Sequence, residues 1–190
     1  AKVEQPKFTF LADKAYKVQK IGKANPFNAP VLAKVGLHGR GSDRQTIHIE
    51  LSTEDKAELQ YLPGDSAGIM PVNSVELIDD VLAATGLDAG EIVVVKDKEK
   101  KLEEALYKDF ELSRITVDVL KRFAEKFPET EAAKLLADAE KLKYYIEGRD
   151  IVDLFRDYPV EISAEELIAL LRPLQARYYS ISSSPNANPG

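Results

Sequence analysis

Hydrophobic and polar residues alternate with a period of two along much of the first third of the chain. The alternation is clearest where Ile47, Ile49 and Leu51 are interleaved with the polar residues Thr46 and His48. A period of two predicts a β-strand with one buried and one solvent-facing side, as in an antiparallel sheet. Looser alternation predicts two further strands, over 16–21 and 31–37.

Glycine and proline mark the turns between these runs. Three glycines within 36–41 predict a hairpin between the second and third runs. Pro-Gly-Asp at 63–65 predicts a turn before another strand over 67–72. Short strands at this density are typical of a β-barrel or a β-sandwich.

Apolar residues recur at spacings of three and four in the middle of the chain, which predicts helices. A capping box over 73–76 begins the first helix, and Gly86 ends it. A short β-branched run, Ile92–Val95, predicts a strand after that helix. The predicted helices cover 73–86, 102–110, 116–128, 129–147, 150–158 and 163–171.

The period returns to two over 177–184, in a segment rich in tyrosine and serine. These residues alone could not form a stable sheet, so they are expected to rejoin the strands of the first third. The prediction is an α+β fold, in which a helical segment interrupts one β-unit. The expected division is 1–73 for the first part of a β-barrel, 74–173 for a mostly helical domain and 174–190 for the returning strand.

Composition narrows the classes of function. The chain has 190 residues with a formal net charge of −6, which argues against a nucleic-acid partner. It has no cysteine and two histidines, so we expect no disulfide, no thiol nucleophile and no metal site. No apolar run approaches the roughly 20 residues that span a bilayer. A cytoplasmic protein is expected, and a start at Ala1 with an end at Gly190 suggests part of a longer chain.

The returning strand carries the residue types that build a nucleotide pocket. Arg177 and Tyr179 share one face of the predicted strand, while Tyr178 and Ser180 share the other. A guanidinium can grip a phosphate, and a tyrosine ring can lie against a flat heterocycle. The alternative is an ordinary half-buried strand, whose tyrosines pack inside a barrel and whose arginine meets one of the many acidic residues.

Several blocks of sequence, in this order, resemble the FAD-binding region of the diflavin reductases, including sulfite reductase flavoprotein subunits and microsomal NADPH-dependent reductases. The resemblance runs from about residue 16 onward, and the 171–184 block is its centre. The matching blocks are 44–51, 61–65, 68–73, 110–113, 151–159 and 171–184.

The resemblance implies a fold and a set of residue roles. The fold is an antiparallel, ferredoxin reductase-like FAD barrel, incomplete in this chain, with an inserted α-helical connecting domain. Arg177 would bind the FAD diphosphate and Tyr179 would stack on the isoalloxazine ring. Ser180 would hydrogen-bond near flavin N5 as the catalytic residue, while Tyr178 takes a variable position of the motif.

Two further residues take roles from the same resemblance. Ser113 would approach FAD from the helical insert, and Arg44 would reach NADPH. The family reaction passes hydride from NADPH to FAD and then single electrons to FMN in a flavodoxin-like domain. An acceptor such as the sulfite reductase haemoprotein follows. Because the later barrel strands and the NADPH domain are not in this sequence, the chain alone is expected to bind FAD poorly and not to oxidise NADPH.

Two other interpretations remain open from the sequence. The same barrel and helical insert could form a non-enzymatic scaffold that binds another protein. The chain could also be the FAD domain of a single-flavin, ferredoxin reductase-like enzyme, although the long helical insert favours the diflavin branch.

Overall fold

The computed structural model describes residues 21–22, 26–53, 61–184 and 186–187. Most of the predicted strand over 16–21 lies outside these residues. The chain divides into two compact units, one containing the residues up to Gly68 together with those from Ser180 onward, and the other Ile69–Tyr179.

An antiparallel hairpin dominates the described part of the first unit. Strand β1 (Val31–Gly36) pairs with β2 (Ile47–Leu51), and Gly36 lies opposite Ile47. The predicted hairpin is therefore confirmed, with an irregularity in register between Val31 and Ala33. The predicted buried face of β2 is wrong, because all five of its residues are exposed. Within the described residues the hairpin has only two strands, and no second layer covers its apolar side chains.

The first unit also contains the turn at 63–65, which forms backbone hydrogen bonds with the segment that follows residue 180. Gly64 adopts a φ of +92° in the predicted turn, and strand β3 (Ser66–Ile69) follows. The Ile181 N–H donates to the Asp65 carbonyl at 2.7 Å, while the Ile181 carbonyl accepts from the Gly64 N–H at 2.9 Å. The end of the chain thus pairs with residues of the first third. The described strands occur as two-stranded pairs and do not form a closed barrel.

The second unit holds the helices. Its elements between residues 75 and 126 are α1 (Val75–Thr85), β4 (Ile92–Val95), β5 (Lys98–Lys101), α2 (Leu102–Lys108), β6 (Phe110–Glu111) and α3 (Val117–Lys126). They are followed by α4 (Ala132–Leu136), α5 (Ala139–Ile146), α6 (Ile151–Asp157), α7 (Ala164–Leu170) and β7 (Arg172–Pro173). Strand β8 (Arg177–Ser180) then leads back into the first unit. Among the described residues, no helix combines the length and the apolar character needed to traverse a bilayer.

A single hydrophobic core fills the second unit. All the buried apolar side chains among the described residues lie between Ile78 and Leu174. Phe123 is fully buried near the centre, with its ring centroid 5.0 Å from that of Phe127 and 5.6 Å from that of Phe155. Rings at these separations pack favourably at an angle. The core of the second unit is therefore built from side chains of that unit.

The N-terminus of α1 differs from the prediction by one residue. Ser74, rather than Asn73, caps the helix, since its side chain accepts from the Leu77 N–H. The Asn73 side-chain amide is instead buried and donates to the carbonyls of Leu106 and Phe110 at 2.6 and 2.7 Å. Sequence spacing cannot distinguish these two roles, because both residue types suit a cap.

The predicted long helix over 129–147 is wrong. The structure forms two helices, α4 and α5, separated at Asp138. The Asp138 carboxylate accepts from the Glu140 and Lys141 N–H groups and so begins a new helix. Phe110, predicted in a helix, lies in β6. The capping box predicted at Ser163 is confirmed, with Glu166 as its partner.

Candidate functional site

A short segment after β6 is fixed from both sides. Strand β6 pairs antiparallel with β7, and the Leu174 N–H donates to the Asp109 carbonyl at 2.8 Å. Further along, the Leu112 carbonyl accepts from the Ile151 N–H at 3.1 Å. Leu112 is itself fully buried, so the backbone on either side of it, at Glu111 and Ser113, is held in place.

A groove with a volume of about 310 Å³ lies beside this segment. It lies entirely within the second unit. The residues that line it come from the loop after β6 and from the chain that enters β8: Glu111, Ser113, Arg114, Gln175, Ala176 and Arg177. The groove therefore brings together two of the predicted site residues, Ser113 and Arg177.

Glu111 is the buried charged residue of this groove, with 9% of its surface exposed. One of its carboxylate oxygens, Oε1, accepts from the Ser113 N–H at 3.1 Å and from the Ser113 hydroxyl at 2.6 Å. The other, Oε2, lies 3.9 Å from Arg114 Nε. One side chain thus fixes both the backbone and the hydroxyl of Ser113 while partly balancing the positive charge of Arg114.

Arg177 begins β8 with an exposed side chain. Its guanidinium forms no hydrogen bond or ion pair with the residues that the structure describes. Tyr178 and Tyr179 are also more than half exposed, at 65% and 56%. The alternative interpretation, in which these tyrosines pack inside a core, does not match this exposure. Arg177 and Tyr179 keep the two-residue spacing that sets them on one face of the strand.

The other two predicted site residues belong to the first unit. Ser180 ends β8 and is exposed. Arg44 lies in the connection between β1 and β2, where its N–H donates to the Ser42 hydroxyl at 3.2 Å and its carbonyl accepts from that hydroxyl at 2.8 Å. Its side chain is exposed, and the local turn fixes its backbone.

A cluster of aromatic and charged side chains is connected to the residues after Ser113 by a backbone hydrogen bond. The Arg149 carbonyl accepts from the Ile115 N–H at 3.1 Å. The Arg149 guanidinium lies 4.7 Å from the centroid of the Tyr145 ring and forms an ion pair with Asp157. Burial raises the pKa of the Tyr145 hydroxyl, and the negative charge of Asp157 adds to that rise. The phenol therefore stays neutral.

The donor set of the groove fits part of a dinucleotide cofactor. The two guanidinium groups of Arg114 and Arg177 match the oxygens of a diphosphate, and the Ser113 hydroxyl adds a neutral polar group. Groups of histidine, aspartate and glutamate suited to a metal ion do not occur in the described part of the chain. The arrangement is suited to binding a phosphate-containing ligand.

Reasoning from the sequence did not single out Glu111 or Arg114. Both flank Ser113 closely, and the alternation of Glu111, buried Leu112 and Ser113 is the signal that could have indicated a shared polar face. Strand β6 has only two residues, too few for an alternation to be recognised from the sequence without the neighbouring strand. The pairing of β6 with β7 is what makes it visible.

Comparisons with known proteins agree with this chemistry. The family described as "FAD binding domain" matches residues 19–190. The chain is 43% identical over 172 residues to the sulfite reductase (NADPH) flavoprotein alpha-component of Bacillus subtilis (strain 168), covering 88% of the chain and 28% of that protein. It is 37% identical over 166 residues to the protein of the same name from Serratia proteamaculans (strain 568), covering 87% of the chain and 28% of the relative. The chain thus spans less than a third of the length of these curated relatives.

Proposed function

The chain belongs to the FAD-binding domain family, and from this premise we propose that it is the FAD-binding portion of an NADPH-dependent diflavin reductase. Relatives that carry the name of an NADPH sulfite reductase flavoprotein support the proposal over most of the chain. The region acts within a longer oxidoreductase, in keeping with the fraction of those relatives that it spans.

One observation carries the proposal. Ser113 and Arg177 are far apart in sequence, and both line the same groove, together with a second guanidinium from Arg114. The chain positions them by independent means, since Ser113 is held by Glu111 and Arg177 by the entry into β8. Arginines beside a hydroxyl, in a groove open to solvent, suit the diphosphate and the adjoining sugars of a dinucleotide.

Each residue of the returning strand has a proposed task in this site. Arg177 pairs with the diphosphate through its two-pronged guanidinium. Tyr179, two residues further along the same face, lays its ring against the isoalloxazine. Ser180 hydrogen-bonds near flavin N5, and Tyr178 borders the site at a variable position. A bound FAD supplies the ring that takes up hydride, so the chain's own work is to bind and orient that ring.

The wider arrangement is proposed from the same family membership. Residues 1–73 and 174–190 contribute to an antiparallel FAD barrel, and 74–173 form the connecting domain inserted into it. Arg44 reaches NADPH bound by a separate domain. Electrons then pass to FMN in a flavodoxin-like domain and on to an acceptor that contains haem, in a cytoplasmic enzyme.

The flavin content of the full-length protein tests this function. Arg177→Ala should lower the affinity for FAD by about tenfold or more, because a charge-assisted pair to the diphosphate is lost. Arg156→Ala is the matched control, since this arginine is also exposed but pairs with Asp80 on α1, outside the groove. Unchanged flavin content and NADPH-dependent reductase activity in an Arg177→Ala, Tyr179→Ala double variant would favour the protein-binding scaffold instead.

A further inference from the structure

We propose that Glu111 is a positioning residue, which holds the Ser113 hydroxyl as a hydrogen-bond acceptor towards the groove. The groove then binds a sugar hydroxyl of FAD beside the diphosphate. This inference rests on the proposed function and adds that one subsite of the groove is a hydrogen-bond acceptor. It begins from the 2.6 Å contact between Ser113 Oγ and Glu111 Oε1.

The position of one hydrogen atom decides what Ser113 can bind. A serine hydroxyl has one hydrogen to donate and two lone pairs to accept with. A carboxylate oxygen only accepts, so the hydrogen of Ser113 is committed to Glu111. The same oxygen also accepts the Ser113 backbone N–H. The side chain of Ser113 therefore presents only lone pairs to a ligand.

The fixed setting of Glu111 makes this polarity permanent. Glu111 is buried in β6, opposite Arg172 of β7, and its neighbour Leu112 has no exposed surface. A buried carboxylate is costly to leave unpaired, so it retains its hydrogen-bond donors. Because Ser113 cannot rotate its hydrogen towards the groove without breaking a charge-assisted bond, its role as an acceptor is set before a ligand binds.

An acceptor at this point excludes direct contact with a phosphate. Phosphate oxygens are also acceptors, and two acceptors cannot share a hydrogen bond without a donor. The guanidinium groups of Arg114 and Arg177, which are pure donors, are the groups of the groove suited to the diphosphate. The donors nearest to a diphosphate in FAD are the hydroxyls of the ribityl chain and of the ribose. Ser113 thus selects a sugar hydroxyl.

Titrations of the full-length protein, freed of flavin, test the inference. The probes are FAD, an FAD analogue that lacks ribityl hydroxyls and an analogue that lacks ribose hydroxyls. Ser113→Ala should raise the dissociation constant for FAD by about tenfold, the effect of one hydrogen bond. It should leave unchanged the constant for whichever analogue lacks the contacted hydroxyl, and this identifies the ribityl chain or the ribose as the partner.

Variants of Glu111 separate positioning from folding. Glu111→Ala should lower the ratio of the analogue constant to the FAD constant as Ser113→Ala does, and the double variant should lower this ratio no further, since Glu111 acts on the sugar contact through Ser113. Glu111→Gln keeps an acceptor for Ser113 and should bind FAD within about twofold of the unaltered protein. If Glu111→Ala does not fold, Glu111→Asp withdraws the carboxylate by one methylene and serves in its place. The ratio of the FAD and analogue constants is the decisive reading, because a loss of stability alone does not change it.

Two results would overturn the inference while leaving the proposed function intact. One is an equal loss for FAD and both analogues in Ser113→Ala, which would assign the hydroxyl to the diphosphate. The other is a double variant in which the two losses multiply, which would make Glu111 and Ser113 independent. An unaltered protein that binds no FAD would instead overturn the proposed function itself.

Discussion

Lys126 of α3 and Glu166 of α7 form an ion pair, with 2.6 Å between Nζ and Oε1, that ties the two helices together. Glu166 has a second task, because its other oxygen accepts from the Ser163 N–H and completes the capping box of α7. The hydrogen bond from Lys126 is the main cause that lowers the pKa of Glu166 to about 2, and the backbone N–H of Ser163 lowers it further.

The lowered pKa of Glu166 predicts that the free energy of unfolding depends on pH in the acidic range. A carboxyl whose pKa is lower in the folded chain stabilises it above the unfolded value, here 4.5, and loses that effect as the pH falls towards 2. In Glu166→Gln the free energy of unfolding should be lower than in the unaltered chain at pH 7, and the difference should shrink between pH 4.5 and 2. Urea unfolding at several pH values measures it. Glu125→Gln, at an exposed position on α3, is the control. A constant difference for Glu166→Gln across this pH range would contradict the assignment.

Asn73 is predicted to matter more for stability than the serine that follows it. Its amide satisfies two carbonyls, of Leu106 and Phe110, in a buried position. Asn73→Ala removes this donor from both carbonyls and should lower the free energy of unfolding by about 2 kcal/mol or more. Ser74→Ala removes only an exposed cap and should cost about 1 kcal/mol. Chemical denaturation of the two variants compares them directly. A larger loss for Ser74→Ala would contradict the greater importance assigned to the buried amide of Asn73.

The hairpin between β4 and β5 turns through two residues with left-handed backbone conformations. Lys96 has a φ of 51° and Asp97 a φ of 62°, a geometry that Asn-Gly adopts with less strain. Replacing the pair by Lys96→Asn with Asp97→Gly should raise the free energy of unfolding by roughly 0.5–1 kcal/mol. Lys98→Asn, within strand β5, is the control and should lower stability, because asparagine is disfavoured in strands. Equal effects of the two changes in a thermal melt would argue against relief of strain.

Local signals in the sequence predict much of the second unit. The caps at Thr116, Asp150 and Ser163 lie next to their helices, so a short window contains all the information that is needed. The same windows mislead where a competing local interaction acts, as at Asp138, whose side chain caps α5 two residues after α4 ends. The strands β6 and β7 were missed because two residues show no period, and each exists only through its partner.

The residues of the candidate site also fall into those that local sequence reveals and those that only a long-range contact reveals. Arg177 and the tyrosines after it stand out in one continuous block of sequence. Glu111 and Arg114 acquire a role only when the loop after β6 lies beside the entry to β8, and that is a long-range contact. The buried face predicted for β2 is wrong for a related reason, because alternation reveals which side chains could be buried and says nothing about what covers them.

The ring of Tyr179, rather than its hydroxyl, is predicted to hold the flavin. The side chain is 56% exposed on the strand that Arg177 begins, so it can turn a face towards a bound heterocycle. In the full-length protein, Tyr179→Phe should keep the affinity for FAD, while Tyr179→Ala should lower it by roughly tenfold, since stacking is the interaction that is lost. Fluorescence titration with FAD measures both. Tyr144→Ala, at a more exposed tyrosine on α5, is the matched control and should bind FAD normally. Equal losses in Tyr179→Phe and Tyr179→Ala would show that the hydroxyl makes the contact, and the stacking role would then have to be abandoned.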